Sequence, residues 1–407
     1  MRLTFRCALA LCLAPFLPGV GQQTTALTRA QAVAAALAHG PRLAIASADT
    51  MVAAGQLLTA RGLPNPLLSA SYTKSLPNYH VTAEVPFDFI RLRGTRIQSA
   101  AAGRIAAQYR FAFDRALIAL DADTTYTRVL AAAAHVRLSA RNAVAADSVR
   151  RIAIARRDAG DASELDVQLA TVTAGQAANA AAADSLALAA SLLDLQALMG
   201  VPTDHIAIVP TDSLVAPPPA TGAAPATDAT LPVASATAFA ESASLAARLQ
   251  HRSVFLLPSL LFGFETGDPT GAEPGILPTI GISIPLPILN RNRGPIAEAE
   301  ALRQRANAEL AFARLESQRR LEQARRAEAG AQGKLVRDRL LVNNANQVAG
   351  MALTAYREGA QPLTFVLDAQ RSAREMLAQY IDDLAAASIA AATLSVLTLT
   401  PSSVPIP

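Results

Sequence analysis

IGISIPLPILNRNRGPIAEAEALRQRANAEL (Ile280–Leu310) changes period in its middle. Ile280, Ile282 and Ile284 alternate with Gly281 and Ser283, a strand with one apolar face. Pro285 and Pro287 stop that strand, because proline cannot donate to a sheet ladder. After Gly294-Pro295 the apolar positions take helical spacing, and a proline suits a first helical turn. The same event occurs about 200 residues earlier. Val81, Ala83, Val85, Phe87 and Phe89 alternate with Thr82, Glu84 and Asp88, and Gly94 then precedes a long alanine-rich run. A strand that becomes a long helix, twice and at a fixed offset, implies an internal duplication.

Working outward, each of these strands has a partner just before it. Leu68, Ala70 and Tyr72 alternate with Ser69, Ser71 and Thr73, and Leu76-Pro77-Asn78 makes the turn. In the second half Leu260, Phe262 and Phe264 alternate with Leu261, Gly263 and Glu265. The hairpin strands, of about 9–10 residues, match tilted β-structure that crosses a bilayer. Downstream, Val129, Ala132, Val136, Ser139, Ala143 and Ala146 step by 3 and 4, as do Leu302, Ala306, Leu310, Ala313, Ser317, Leu321 and Ala324. These are coiled-coil seams. A last helix carries Phe365, Ala369, Ser372, Met376, Tyr380, Leu384 and Ala387. A helix from residue 92 to 157 would be on the order of 100 Å long. Ala155 to Leu169 and Ala355 to Ala369 match as glycine-centred turns, 200 residues apart.

These signals divide the chain into residues 1–21, a signal peptide cleaved near Gly21, and a first repeat, 22–202. That repeat holds strands at about 67–75 and 81–89 and helices at about 92–157 and 162–199. A Pro/Ala/Thr-rich connector follows at 203–240, with a short helix opening near Ser235. The second repeat, 241–398, holds strands at about 258–266 and 276–284 and helices at about 295–357 and 362–398, and 399–407 is a tail.

Composition narrows the function. The net charge of +4 makes no electrostatic case for nucleic acid. Both cysteines, Cys7 and Cys12, fall in the signal segment, so the mature chain is expected to lack thiols, disulfides and Cys-ligated metal. None of the five histidines lies three or four residues from another, which excludes a zinc site of the His-x-x-x-His type. No nucleophile elbow or phosphate loop is present, and neither catalysis nor a cofactor is expected. Alanine dominates the apolar half of the chain and aromatics are 4 %. Such a chain builds long, closely packed helices better than one thick core. Four short strands cannot close a barrel, and lipid forbids an open sheet edge. Strands in a membrane would have to be pooled by several chains.

The ordered set Arg61-Gly-Leu-Pro-Asn-Pro66, Gly160-Asp-Ala-Ser-Glu-Leu-Asp-Val167, Pro285-Leu-Pro-Ile-Leu-Asn-Arg-Asn-Arg-Gly294, Tyr356-Arg-Glu-Gly359 and Val366-Leu-Asp-Ala-Gln370 resembles the TolC-like outer-membrane efflux proteins over residues 27–398. The wording of 285–292 is most like the branch that serves cation and heavy-metal efflux. The resemblance implies a mainly α fold with a small β part. A homotrimer would form a twelve-strand outer-membrane barrel and an α-helical periplasmic tunnel. It would be the exit duct of a tripartite pump in a Gram-negative outer membrane, docked to a periplasmic adaptor and an inner-membrane transporter, with outer-membrane lipid around it.

Carried over by position, Gly160, Asp161, Ala162, Ser163 and Glu164, with Gly359, Ala360, Pro362, Leu363 and Thr364, would be adaptor-docking tips; as plain residues they are loops that join helices. Asp368 matches a carboxylate of the entrance ring, where acids select cations; otherwise it is a solvated helix position. Gln361 stands where an arginine partner is often found, and Phe365 where a second aspartate can be, so Phe365 would form an apolar constriction in place of a salt-bridge lock. Tyr356 would bond across helices at the tip or pack there. Arg291 and Arg293, at the handover from strand to helix, read as membrane-interface anchors. The competing assignment is a periplasmic coiled-coil adaptor or scaffold without a barrel, which would have no use for two apolar-alternating hairpins at its helix starts.

Overall fold

The computed structural model describes residues 23–88, 92–201, 206–218, 229–254, 258–268, 270–272 and 275–403. The signal segment, Phe89 at the expected end of a strand, the tail from 404 and parts of the connector lie outside them.

Strand β1 (Gln23–Leu27) leads into α1 (Arg29–His39) and α2 (Pro41–Arg61). Thr28 opens α1 with a capping box: its hydroxyl accepts from the Gln31 amide, and the Gln31 side chain accepts from the Thr28 amide. The first hairpin is β2 (Leu67–Tyr72) and β3 (Tyr79–Pro86), and the second is β5 (Ser259–Thr266) and β6 (Ile276–Ser283), with β4 (Ile206–Pro210) between the repeats. The helices are α3 (Arg93–Asp158), α4 (Glu164–Met199), α5 (Leu231–Arg252), α6 (Arg293–Arg357) and α7 (Leu363–Leu397). At ~1.5 Å per residue, the 66 residues of α3 span about 100 Å.

The two hairpins join into one antiparallel sheet of order β2-β3-β5-β6. Its register puts Leu68, Ala83, Phe262 and Ile280 in one row, and Ala70, Val81, Phe264 and Pro278 in the next. The opposite face presents Ser69, Thr82, Gly263 and Thr279, flanked by Glu84 and the His80–Glu265 pair at 3.3 Å. One face is therefore apolar, whereas the other is mixed, with Leu67, Leu261 and Leu277 among its polar groups, and β2 and β6 leave open edges. Ile280, Leu68 and Ile282 are 79 %, 70 % and 66 % exposed, so the described residues leave this apolar face largely uncovered.

Several sequence expectations need correction. The strands are shorter than nine residues: β2 ends at Tyr72, because the Thr73 amide donates to the Asn78 carbonyl and closes the turn, and β3 starts at Tyr79. Pro86 lies in an interior strand, but beyond the first residue of β2, Leu67, which pairs with Glu84, so β2 does not ask for its missing N–H. The connector is not irregular to residue 240. It contains β4, parallel to β1, and α5 begins at Leu231 after Thr230. Pro232 sits in the first turn of α5, where its lost N–H costs nothing. At 22 residues α5 is one residue longer than the 21 of α2, so this helix is not shortened in the second repeat. Ser235 does not cap it; its hydroxyl donates to the Ala106 carbonyl on α3. The turn offset is 199 rather than 200, shown by Asp161 N–H to Arg156 O and Ala360 N–H to Ala355 O.

The helices pair as hairpins, α3 with α4 and α6 with α7, and α5 bridges α3 and α6. Reciprocal bonds, Ser99 Oγ to Ser242 O and Ser242 Oγ to Ser99 O, hold α3 against α5. The seams are only partly internal. Ala306, Leu321 and Ala324 are buried, whereas Leu302 is 51 % exposed. On α7 the expected Ala369, Leu384 and Ala387 are buried, but near the turn Val366 and Ala373 are buried in place of the expected Phe365 and Ser372. By length and composition α2, α4 and α7 are long and apolar enough to cross a membrane, yet the single chain buries less than a quarter of each such stretch.

Candidate functional site

The expected docking residues meet at one end of the helical hairpins. Ser163 caps α4: its Oγ accepts from the Asp166 amide, and Asp166 Oδ2 accepts from the Ser163 amide. Pro362 holds the matching place before α7 and offers no side-chain cap. Gly160 and Gly359 have φ of 85° and 77°, the left-handed region that a tight reversal between helices requires. Both turns are exposed, with Asp161, Ser163, Glu164, Ala360, Gln361, Pro362 and Thr364 facing outward and Ala162 half-buried.

Below the turns the two hairpins share a core of Val149, Ala153, Val167, Tyr356, Leu363 and Val366. Leu363 is therefore a core residue, not a surface one. Tyr356 is 2 % exposed and its hydroxyl has no hydrogen-bond partner among the described residues. Of the two sequence alternatives it takes packing; burial, with Asp166 nearby, pushes its hydroxyl pKa up, against the pull of Arg156.

Arg156 was not singled out from sequence. Its guanidinium carbon lies 4.7 Å from the Tyr356 ring centroid, Nη1 donates to the Tyr356 carbonyl at 2.7 Å, and Nη2 donates to the Asp161 carbonyl at 3.2 Å. One side chain thus ties both turns together. A basic residue in a last helical turn reads as compensation of the helix dipole, and nothing local points to a partner 200 residues away. Its neighbour Arg157 bonds Asp158 (2.7 Å) and Glu164 (3.0 Å). Gln168 and Arg157 together hold the Glu164 carboxyl below its ordinary value.

Phe365 and Asp368, three residues apart on α7, are both exposed, Phe365 by 49 %. Among the described residues Asp368 has no ion-pair partner; Arg371, one turn on, faces Glu375 at 3.6 Å instead. Gln361 sits in the turn and does not pair with Asp368. Arg291 and Arg293 lie at the far end, exposed, directly after Leu286, Ile288 and Leu289, which are 71 %, 72 % and 99 % exposed. Asn292 between them adopts φ 57° and its side-chain amide donates to the Gln250 carbonyl and to Ser253 Oγ, anchoring the start of α6 on the end of α5. Among the described residues no group of three or more His, Cys, Asp or Glu could hold a metal ion.

No protein-family model matches the sequence, and no curated protein matches it. Solved structures do match its fold. A membrane protein from Pseudomonas aeruginosa superposes with a TM-score of 0.78 at 19 % identity, over 91 % of this chain and 93 % of that one. CusC, described for transmembrane channel formation, gives 0.77 at 16 % over 94 % and 95 %. The outer membrane protein VceC of Vibrio cholerae gives 0.75 at 17 % over 91 % and 96 %. The chain therefore shares the fold of these solved membrane proteins, the TolC-like fold, mainly α with tandem hairpin-plus-long-helix repeats.

Proposed function

We propose that the protein is the outer-membrane exit duct of a tripartite efflux pump, a homotrimer that passes substrates from the periplasm to the outside. The observation that carries this is the four-stranded sheet, apolar on one face, more polar on the other and open at β2 and β6. An apolar face belongs in lipid, and open edges in lipid must be paired. Three copies would pair β6 of one with β2 of the next, closing twelve strands with the Ser/Thr/Glu face lining the lumen. The helices then continue as a tunnel, and their exposed apolar stripes become contacts between copies. The turns around Gly160 and Gly359 would dock a periplasmic adaptor and through it an inner-membrane transporter. Phe365 and Asp368 would line the periplasmic entrance. Arg291 and Arg293 would meet lipid headgroups. The passage needs no chemistry of its own, so no catalytic residue or cofactor is assigned. The cargo would be metal cations or small toxic compounds, and the wording of residues 285–292 favours the cations.

The test is expression of the full chain in a Gram-negative host, separation of the membranes and mass measurement of the detergent-extracted complex. A species of three chains in the outer membrane fits the duct. A periplasmic species that is soluble without detergent leaves the adaptor or scaffold assignment instead.

A further inference from the structure

Midway along α6 and α7, Asp338 and Asp383 come together across the helix pair at 8 % and 7 % exposure. Oδ2 of Asp338 is buried and has no hydrogen-bond partner, although the Asp383 carboxyl lies within hydrogen-bonding reach. Two ionised carboxylates in contact repel, and neither has a donor to offer the other. One proton between them removes both penalties, because the O–H of one then donates to the other.

The surroundings decide which acid holds it. Nζ of Lys334 is 3.5 Å from Asp383 Oδ1, and Nε2 of Gln379 donates to Asp383 Oδ2 at 2.9 Å. Both favour charge on Asp383, which leaves Asp338 as the protonated member. Burial raises the Asp338 pKa first and Asp383 raises it further, while Arg337 and Lys334 pull it down without prevailing. Asp382, the next residue, turns the other way: its Oδ1 lies 2.8 Å from Nε2 of His135 on α3, a pair that is ionic only when the histidine is protonated. Adjacent acids thus fasten α7 to α6 and to α3. The apolar cluster beside them, Leu335, Leu384 and Ala387, is small.

We infer that Asp338 and Asp383 form a proton-binding site, with one proton shared between the two carboxyls, and that its release loosens α7 from α6. Because the folded value of Asp338 is raised, its contribution is fully present below the ordinary value of 3.8 and is lost as pH rises through the raised one. Asp383 lies 15 residues along α7 from Asp368, about 22 Å at ~1.5 Å per residue. The helix that is released is the one that carries the exposed tip residues. The inference stands on the helix pair alone and does not depend on the channel reading.

The experiment is infrared difference spectroscopy of the purified full chain in detergent through a pH titration, with hydrogen exchange of α7 amides corrected for the intrinsic rate. A protonated-carboxyl band that persists above the usual carboxylate range and disappears in Asp338→Asn is expected. The wild type should lose protection around 379–387 as pH rises, and Asp338→Asn, whose amide donates permanently to Asp383, should show a flat profile. Lys334→Gln should move the band's titration to higher pH, which a purely structural role would not do. Absence of the band in the wild type, which needs no variant to fold, overturns the site. Identical exchange profiles in wild type and Asp338→Asn overturn the release.

Discussion

Nη2 of Arg96 lies 2.7 Å from Oδ2 of Asp88, whose side chain is wholly buried where β3 hands over to α3. The same guanidinium donates to the carbonyls of Ala60 and Gly62, so it joins the end of α2 and the strand exit to the start of α3. Removing one partner of a buried ion pair strands the other charge, at a cost of about 3–5 kcal/mol. Arg96→Leu should therefore lower the thermal midpoint of the detergent-solubilised protein sharply. Asp88→Asn, which keeps the shape and removes the charge, should cost less. Equal midpoints for wild type and Arg96→Leu would show that the junction is held by packing alone.

At the other end, Tyr356 and Arg156 should respond in opposite ways. The buried Tyr356 hydroxyl lacks a partner, and an unsatisfied polar group costs about 1–3 kcal/mol. Tyr356→Phe should be neutral or stabilising. Arg156→Ala removes the ring contact and the bonds to both turns, and should speed hydrogen exchange in residues 352–366 while leaving the sheet unaffected.

Gly160 has open space where a Cβ would go, so Gly160→Ala tests backbone conformation without a clash. Its φ of 85° should make the substitution cost about 1–2 kcal/mol, read by denaturant unfolding. Gly359→Ala should behave alike, since the nearest atom is the flexible end of Arg156 at 3.6 Å.

Glu316 accepts from Arg319 and Arg320 on α6, which hold its carboxyl at about 2 against an ordinary 4.5. A depressed folded value means the contribution is present above 4.5 and lost as pH falls towards 2. Acid should thus weaken this stretch of α6 while it protects the Asp338–Asp383 pair. In a double variant, Arg319→Gln with Arg320→Gln, a carboxyl titration followed by isotope-edited infrared should return Glu316 to the ordinary range.

In planar bilayers Phe365→Ala should raise single-channel conductance, and Asp368→Asn should lower selectivity for cations over anions. Unchanged currents in both variants would remove these residues from the entrance.

Features set by neighbours in sequence were legible in advance. Alternation placed Val81, Ala83 and Val85 on one face because side chains alternate along any strand, and the sequence offers Ser163 or Asp161 as the cap of α4, of which Ser163 takes the place because its partner Asp166 is three residues on. Proline misled at Pro232, where the residue that breaks a helix interior instead starts one. The long helices could be drawn from alanine content and 3–4 spacing, but their burial could not. Whether Phe365 or Val366 faces inward depends on a rotation fixed by Tyr356 and Leu363 packing beside it.

Local periodicity therefore determined the duplicated plan, the two-faced strands and the long helices, since each follows from backbone geometry over a few residues. Tertiary structure alone decided the parallel pairing of Gln23–Leu27 with Ile206–Pro210, the reach of Arg156 to the Tyr356 carbonyl and the meeting of Asp338 with Asp383. Each joins residues far apart along the chain. Their energies, in desolvation, charge and hydrogen bonding, exist only once the helices lie side by side.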